Sequence, residues 1–198
     1  MTSHYFSQNQ TSDYKEESFI TTLRGNTFQF VTASGVFSLK KVDKGSELLI
    51  NKAVVPNEAR SILDLGCGYG PVGIAIAKVF PKAEVLLSDV NERAVFVAKK
   101  NIKKNNIANA EVVVSDGFEK INKNFDVILL NPPQTAGKQV CQNLIEQSFH
   151  HLNNGGTLQI VARHQKGGKD LAKFMESLFG NVEDVAKSSG YRVYLGRK

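Results

Sequence analysis

The sequence predicts an α/β protein built on a doubly wound, mostly parallel seven-stranded sheet, and three observations carry that reading. From Ser61 onward, short β-branched runs alternate with helical patterns, the order that winds a parallel sheet with helices on both faces. The run Val127-Ile128-Leu129-Leu130 is apolar throughout, as a central strand covered on two sides must be. The final stretch, NVEDVAKSSGYRVYLGR, offers two strands joined through Ser188-Ser189-Gly190 with no helix between them, so a C-terminal antiparallel hairpin is expected to close the sheet.

Taken in order, residues 1–20 are polar with no sustained period and are expected to form an irregular arm. TFQFVTASGVFSL alternates Phe28 and Phe30 with polar neighbours, turns at Ala33-Ser34-Gly35 and resumes with Val36 and Phe37, which predicts a hairpin. DKGSELLINKAVV reads as a short helix opening near Asp43 and closing before Pro56. The core then runs through SILDL, a helix from Gly70, AEVLLSD, a helix from Glu92 to Asn105, AEVVVSD and FDVILLN. A helix from Lys138 to His151, the strand GTLQIVA and a helix from Gly168 to Phe179 precede the closing hairpin. At 198 residues the chain suits one domain with a single core. Residues 1–55 would supply the arm, hairpin and helix, and residues 56–198 the α/β core.

The net charge of +6 permits nucleic acid or another acidic partner without requiring one. Two cysteines, Cys67 and Cys141, lie in dissimilar settings without C-x-x-C spacing or a histidine cluster; no metal site is expected, and the pattern suits a reducing cytoplasm. No apolar run approaches the ~18 residues of a membrane span, and no basic start precedes an apolar core in the first twenty residues. A cytoplasmic protein without membrane attachment is expected.

The stretch SILDLGCGYGPVGIAIAK sets a strand, a glycine turn and a helix in succession, which exposes main-chain N–H groups to a ligand. Gly68-Tyr69-Gly70-Pro71-Val72-Gly73 matches G-x-G-x-x-G, the dinucleotide fingerprint. Two features oppose a dinucleotide: the turn begins earlier, at Gly66, and Asp64 at the strand end would repel a pyrophosphate. A cationic ligand reverses that sign, and S-adenosylmethionine, with its sulfonium, amino group, ribose and adenine, suits the turn. Asp89 ends the next strand about 20 residues on, where such folds place a carboxylate on ribose hydroxyls. Asp116 ends the third, in VVVSDGF. Each acid alone could be a helix cap or turn residue; three at successive strand ends point to one crevice.

LLNPPQ puts Asn131-Pro132-Pro133 directly after a buried strand. Each proline restricts the residue before it, so the Asn131 side chain and the Pro132 carbonyl form a stiff pair of acceptors. Such a pair can hydrogen-bond both hydrogens of a planar exocyclic amine and aim its nitrogen at an electrophilic carbon, catalysis by position and polarity. A bare proline stop after a strand is the other reading.

LDLGCGYGPVGIAIAK, LLSDVNERAV, VVVSDGF and NPPQTAGK resemble the consecutive motifs of class I S-adenosylmethionine-dependent methyltransferases, which have a Rossmann-like fold. More narrowly, SGVFSLKKVDKGSELLI, the GK after Asn-Pro-Pro and FGNVEDVAKSSGYRVYLGRK resemble archaeal relatives of the RsmC-type ribosomal RNA guanine-N2 methyltransferases. The resemblance implies that Asp64, Gly66, Cys67, Gly68 and Gly70 hold the methionine part of the cofactor, Asp89 and Val90 the ribose, and Asp116 and Gly117 the adenine. It implies that Phe37, Ser38, Gly45 and Ser46 lie over the cofactor, making the N-terminal hairpin and helix a cover. Asn131, Pro132 and Pro133 become the catalytic element. Related enzymes often carry Phe or Tyr after the two prolines, where the ring stacks on a flipped base; here Gln134 stands instead. The bacterial enzymes also carry an N-terminal domain with no counterpart in this chain, so RNA recognition would fall to this domain's own surface or to partner proteins.

Gln134 is therefore a candidate substrate contact, joined by Arg163 and Lys166, which follow the fifth core strand with His164 and Lys169 and could meet phosphate. Lys99, Lys100, Lys103 and Lys104 read as a solvated helix end, and His150 and His151 as helix caps. The expected function is methyl transfer to an exocyclic amine, guanine N2 of ribosomal or other structured RNA. A protein glutamine amide as acceptor, an NAD-dependent oxidoreductase and a non-catalytic RNA-binding module remain as alternatives.

Overall fold

Two eight-residue strands, Glu16–Leu23 (β1) and Asn26–Ala33 (β2), pair antiparallel from Glu16 opposite Ala33 to Leu23 opposite Asn26. The structure is a computed structural model and describes residues 13–36, 38 and 40–198. The turn between the strands is Arg24-Gly25, with φ of 47° and 76°, a left-handed pair whose twist matches the strands it joins. This corrects the hairpin expected around Ala33-Ser34-Gly35 and converts the end of the expected arm into β1. The cause is burial: most of β1 is solvent-exposed, so it shows little of the alternation that marks a half-buried strand.

Helix α1 (Lys44–Lys52) opens at Asp43, whose Oδ1 accepts the Gly45 and Ser46 N–H groups at 2.9 and 3.1 Å, the expected N-cap arrangement. The core follows in the predicted order: β3 (Ser61–Leu65), α2 (Pro71–Val79), β4 (Glu84–Asp89), α3 (Glu92–Lys104), β5 (Ala110–Val114), β6 (Phe125–Leu130), α4 (Lys138–His150), β7 (Leu152–Arg163), α5 (Lys169–Phe179), β8 (Val182–Ser188) and β9 (Tyr191–Arg197). The sheet runs β5-β4-β3-β6-β7-β9-β8. Its first five strands are parallel, and β9 runs antiparallel to both β7 and β8. Strand order reverses between β3 and β6, the switch point beyond which ligands bind in open α/β sheets.

One apolar layer joins α1, α2, α3 and the hairpin to the sheet; the other joins α4, α5 and the buried Phe118 and Ile121 of the β5–β6 link. Gly73 lets α2 sit close on β4, since a Cβ there would lie 2.5 Å from Leu87 Cγ. The hairpin packs over α3 through two asparagines one turn apart. Asn105 Oδ1 and Nδ2 bond the Gln29 N–H and C=O at 3.0 Å each, and Asn101 does the same to Val31 at 2.8 Å. Side-chain amides thus continue the β2 ladder onto a helix and satisfy an otherwise open edge. Gln159 repeats the device beyond α1, accepting the Val54 N–H at 2.8 Å and donating to its carbonyl at 2.7 Å. Among the described residues no helix is long and apolar enough to cross a membrane.

Candidate functional site

A cavity of about 360 Å³ opens beyond the carboxyl ends of β3, β4, β5 and β6. Asp64, in β3, is buried and accepts the Gly73 N–H at 2.7 Å, so the helix-capping role weighed from sequence is met while the residue also lines the cavity. Burial pushes its pKa up to about 7; the Gly73 bond pulls down and the nearby Asp89 pushes up. Asp89, at the end of β4, accepts the Gly68 and Asn91 N–H groups at 2.7 and 2.9 Å, and burial raises its pKa as well. Neither acid forms an ion pair with any described residue; the two ion pairs there are Lys100–Glu16 and Arg192–Asp184, both on the surface.

Between these acids the turn is bare. Gly66 and Gly68 have φ of 71° and 57°, and a Cβ at either would meet nothing within 4 Å, so the main chain faces the cavity without side chains in the way. Cys67, Val90, Asp116 and Gly117 line the same space. Burial holds the Cys67 thiol well above its ordinary range, a packing cysteine rather than a nucleophile. Gly70 does not line the cavity: it starts α2 at φ 90°, and a Cβ there would press on Ile74 and Leu87. Two buried carboxylates without a cation, beside open backbone, fit the positive groups and ribose of S-adenosylmethionine and not a diphosphate.

Asn131 follows β6, facing this crevice. Its Nδ2 donates to Ser46 Oγ at 3.0 Å and to Asp43 Oδ1 at 3.4 Å, and no described residue donates to its Oδ1. The Pro132 carbonyl accepts the Gln134 N–H at 2.8 Å across Pro133, which has φ −74° and ψ 75°, an inverse γ-turn. One lone pair of that carbonyl remains free. Asn131, Pro132, Pro133 and Ser46 line the cavity; Gly45 does not, and packs instead on the Tyr191 ring, 3.0 Å from where its Cβ would be. Ser38 also lies outside the lining, its hydroxyl donating to the Lys41 carbonyl. Phe37 lies outside the described residues. The β1–β2 hairpin contributes no lining residue and braces the helices; among the described residues ahead of β3, Asp43 and Ser46 reach the cavity.

The substrate-side candidates form a lip beyond the cavity. The Gln134 amide accepts the Arg163 N–H at 3.2 Å and donates to the Lys166 carbonyl at 2.8 Å. Arg163 and Lys166 are exposed, and the Arg163 guanidinium sits 5.1 Å over the Tyr191 ring with Nε donating to its hydroxyl at 2.9 Å. His151 stacks on Phe118 and His164 bonds the Tyr194 hydroxyl at 2.6 Å, both away from the cavity lining. Sequence reasoning missed Asp43 as a site residue and missed the apolar wall of Tyr69, Val140 and Leu144. The i, i+4 spacing of Val140 and Leu144 was a usable signal; the contact between Asp43 and Asn131, 88 residues apart, left none.

The methyltransferase small domain family matches residues 27–195. The chain belongs to this family. It is 38% identical to the Bacillus subtilis protein YbxB, each covering the whole of the other. It is 35% identical to the ribosomal RNA small subunit methyltransferase C of Salmonella choleraesuis over 82% of this chain and 47% of that one, so the chain spans about half the length of that relative. Among solved structures, a T. thermophilus 16S rRNA N2 methyltransferase (RsmC) in complex with AdoMet and guanosine superposes with a TM-score of 0.81 at 26% identity, over 96% of this chain and 52% of that one. The doubly wound, Rossmann-like methyltransferase fold with its antiparallel hairpin is therefore the observed one. These relatives are bacterial, and nothing in them supports the archaeal placement expected from the sequence. Membership of the family also sets aside the oxidoreductase reading of the glycine fingerprint, whose last glycine is accounted for by the packing of α2 on Leu87.

Proposed function

We propose that the protein transfers the methyl group of S-adenosylmethionine to an exocyclic amine, guanine N2 of ribosomal RNA. The observation that carries this reading is the Asn131 side chain, which lines the cavity and whose NH2 donates to Asp43 and Ser46 while no described residue donates to its oxygen. That oxygen and the free lone pair of the Pro132 carbonyl accept the two N–H groups of a flat amine, drawing the nitrogen lone pair out of conjugation. When bound, S-adenosylmethionine supplies an electrophilic methyl: the amine lone pair takes the carbon, the carbon–sulfur pair stays on sulfur, and one N–H proton leaves to water. Asp64 would hold the amino group of the donor and Asp89 its ribose hydroxyls. RNA as the acceptor is supported by the names of the relatives and by Lys41, Lys44, Lys138, Arg163, Lys166 and Lys169, exposed around the same ends of the strands and helices.

The test is methyl transfer from labelled S-adenosylmethionine into unmodified small-subunit ribosomal RNA, followed by nucleoside mass spectrometry. N2-methylguanosine is the expected product. Label confined to protein glutamine, or label at another nucleoside, overturns the assignment.

A further inference from the structure

Asn131 can act only if its amide faces the right way, and an amide offers two orientations differing by a half-turn: oxygen toward the cavity, or NH2 toward it. Only the first accepts protons from an amine. We propose that Asp43 and Ser46 are positioning residues that lock the Asn131 amide with its oxygen toward the acceptor; the inference rests on the amine-transfer reading above.

Ser46 alone cannot decide the orientation. Its hydroxyl, 3.0 Å from Asn131 Nδ2, can donate or accept by turning its proton. Asp43 decides it, because its Oδ1 already accepts two backbone N–H groups and serves as an acceptor, so the group 3.4 Å from it must be the NH2. Asp43 is in turn immobilised: the same oxygen caps α1 by accepting the Gly45 and Ser46 N–H groups. The helix behind it is fixed by the fully buried Leu49 and Ile50 and, just past its end, by the Val54–Gln159 pair. The orientation of the reacting oxygen is thus set by a rigid helix, the arrangement that gives positional catalysis its effect. A carboxylate behind the amide also polarises it, making Oδ1 a better acceptor as positive charge grows on the amine nitrogen.

Two variants separate positioning from helix capping. Ser46→Ala removes one acceptor and leaves the cap. Asp43→Ser keeps a good N-cap on a side chain too short to reach Asn131. Each is expected to lower kcat roughly ten- to a hundredfold, the effect of losing one charge-assisted or buried hydrogen bond. The KM for RNA and the Tm should stay close to the parent values. Asp43→Asn, which keeps the acceptor oxygen, should fall between Asp43→Ser and the parent. In an Asn131→Ala background, Ser46→Ala should cost nothing more, whereas a purely structural role would lower the Tm and add its loss in full. A second readout does not depend on the acceptor: exchange of the Asn131 side-chain amide protons with water, followed by NMR, should be slow in the parent and fast in both variants. If the parent methylates RNA and neither variant changes kcat or exchange, the positioning role is overturned. If the parent transfers no methyl to RNA while exchange responds as described, the functional reading fails and the positioning role stands.

Discussion

The seam between the hairpin and α3 and the crevice beyond β6 are built from the same side chain put to opposite ends. At the seam, Asn101 and Asn105 each receive one backbone hydrogen bond and give two, so every amide group there is closed. In the crevice, Asn131 gives its protons to Asp43 and Ser46 and receives none from any described residue. A closed amide holds structure; a half-closed one holds structure on one side and offers chemistry on the other. The difference teaches that function here is read from the unmet valence of a residue and not from its type.

Breaking each asparagine should give opposite phenotypes. Asn131→Ala should reduce methyl transfer by roughly 10²–10³-fold, the range for losing one preorganised polar group at a reacting centre, while S-adenosylhomocysteine binding by calorimetry stays within about threefold. Asn101→Ala should do the reverse: it strands the Val31 N–H and the Val31 and Tyr69 carbonyls, costing about 3 kcal/mol in a denaturant titration, with turnover of the folded fraction unchanged. A loss of catalysis from Asn101→Ala equal to that from Asn131→Ala would erase the contrast.

The cofactor half of the crevice sharpens the comparison through pH. The folded-state pKa of Asp64 is raised to about 7 by burial, above the ordinary value near 4. Its proton therefore stabilises the ligand-free protein, fully below about pH 4, and that stabilisation is lost as pH rises through about 7. The ammonium of S-adenosylhomocysteine favours the ionised form, so ligand affinity should fall by up to about tenfold per pH unit below 7. The rise in Tm caused by the ligand should accordingly grow from pH 5.5 to 8, and Asp64→Asn should flatten it. A ligand shift constant across that range would show that the acid does not face the cationic group. The smallest effect is expected at the lip: Gln134→Ala removes two exposed hydrogen bonds, worth about 1 kcal/mol together, and should raise the KM for RNA only a few-fold.

The α/β core was legible because its strands are short β-branched runs ended by Asp, Gly or Asn, and burial on both faces forces that composition on β3, β4 and β6. The acids were legible for a topological reason: Asp64, Asp89 and Asp116 come at successive strand ends, which a parallel sheet gathers on one side. β1 was not legible, since a strand exposed along most of its length carries almost no pattern. Nor was the engagement of Gln134, whose partners come from the turn after β7. Contacts of that kind are made by tertiary proximity and leave no periodic trace in the chain.

That glutamine has a mechanical consequence. Its amide links the proline turn to the loop bearing Arg163 and Lys166. A polyanion gripping the basic loop from outside would pull through those two hydrogen bonds on the turn beside Asn131, and the link can carry no more than the small energy of the bonds that make it.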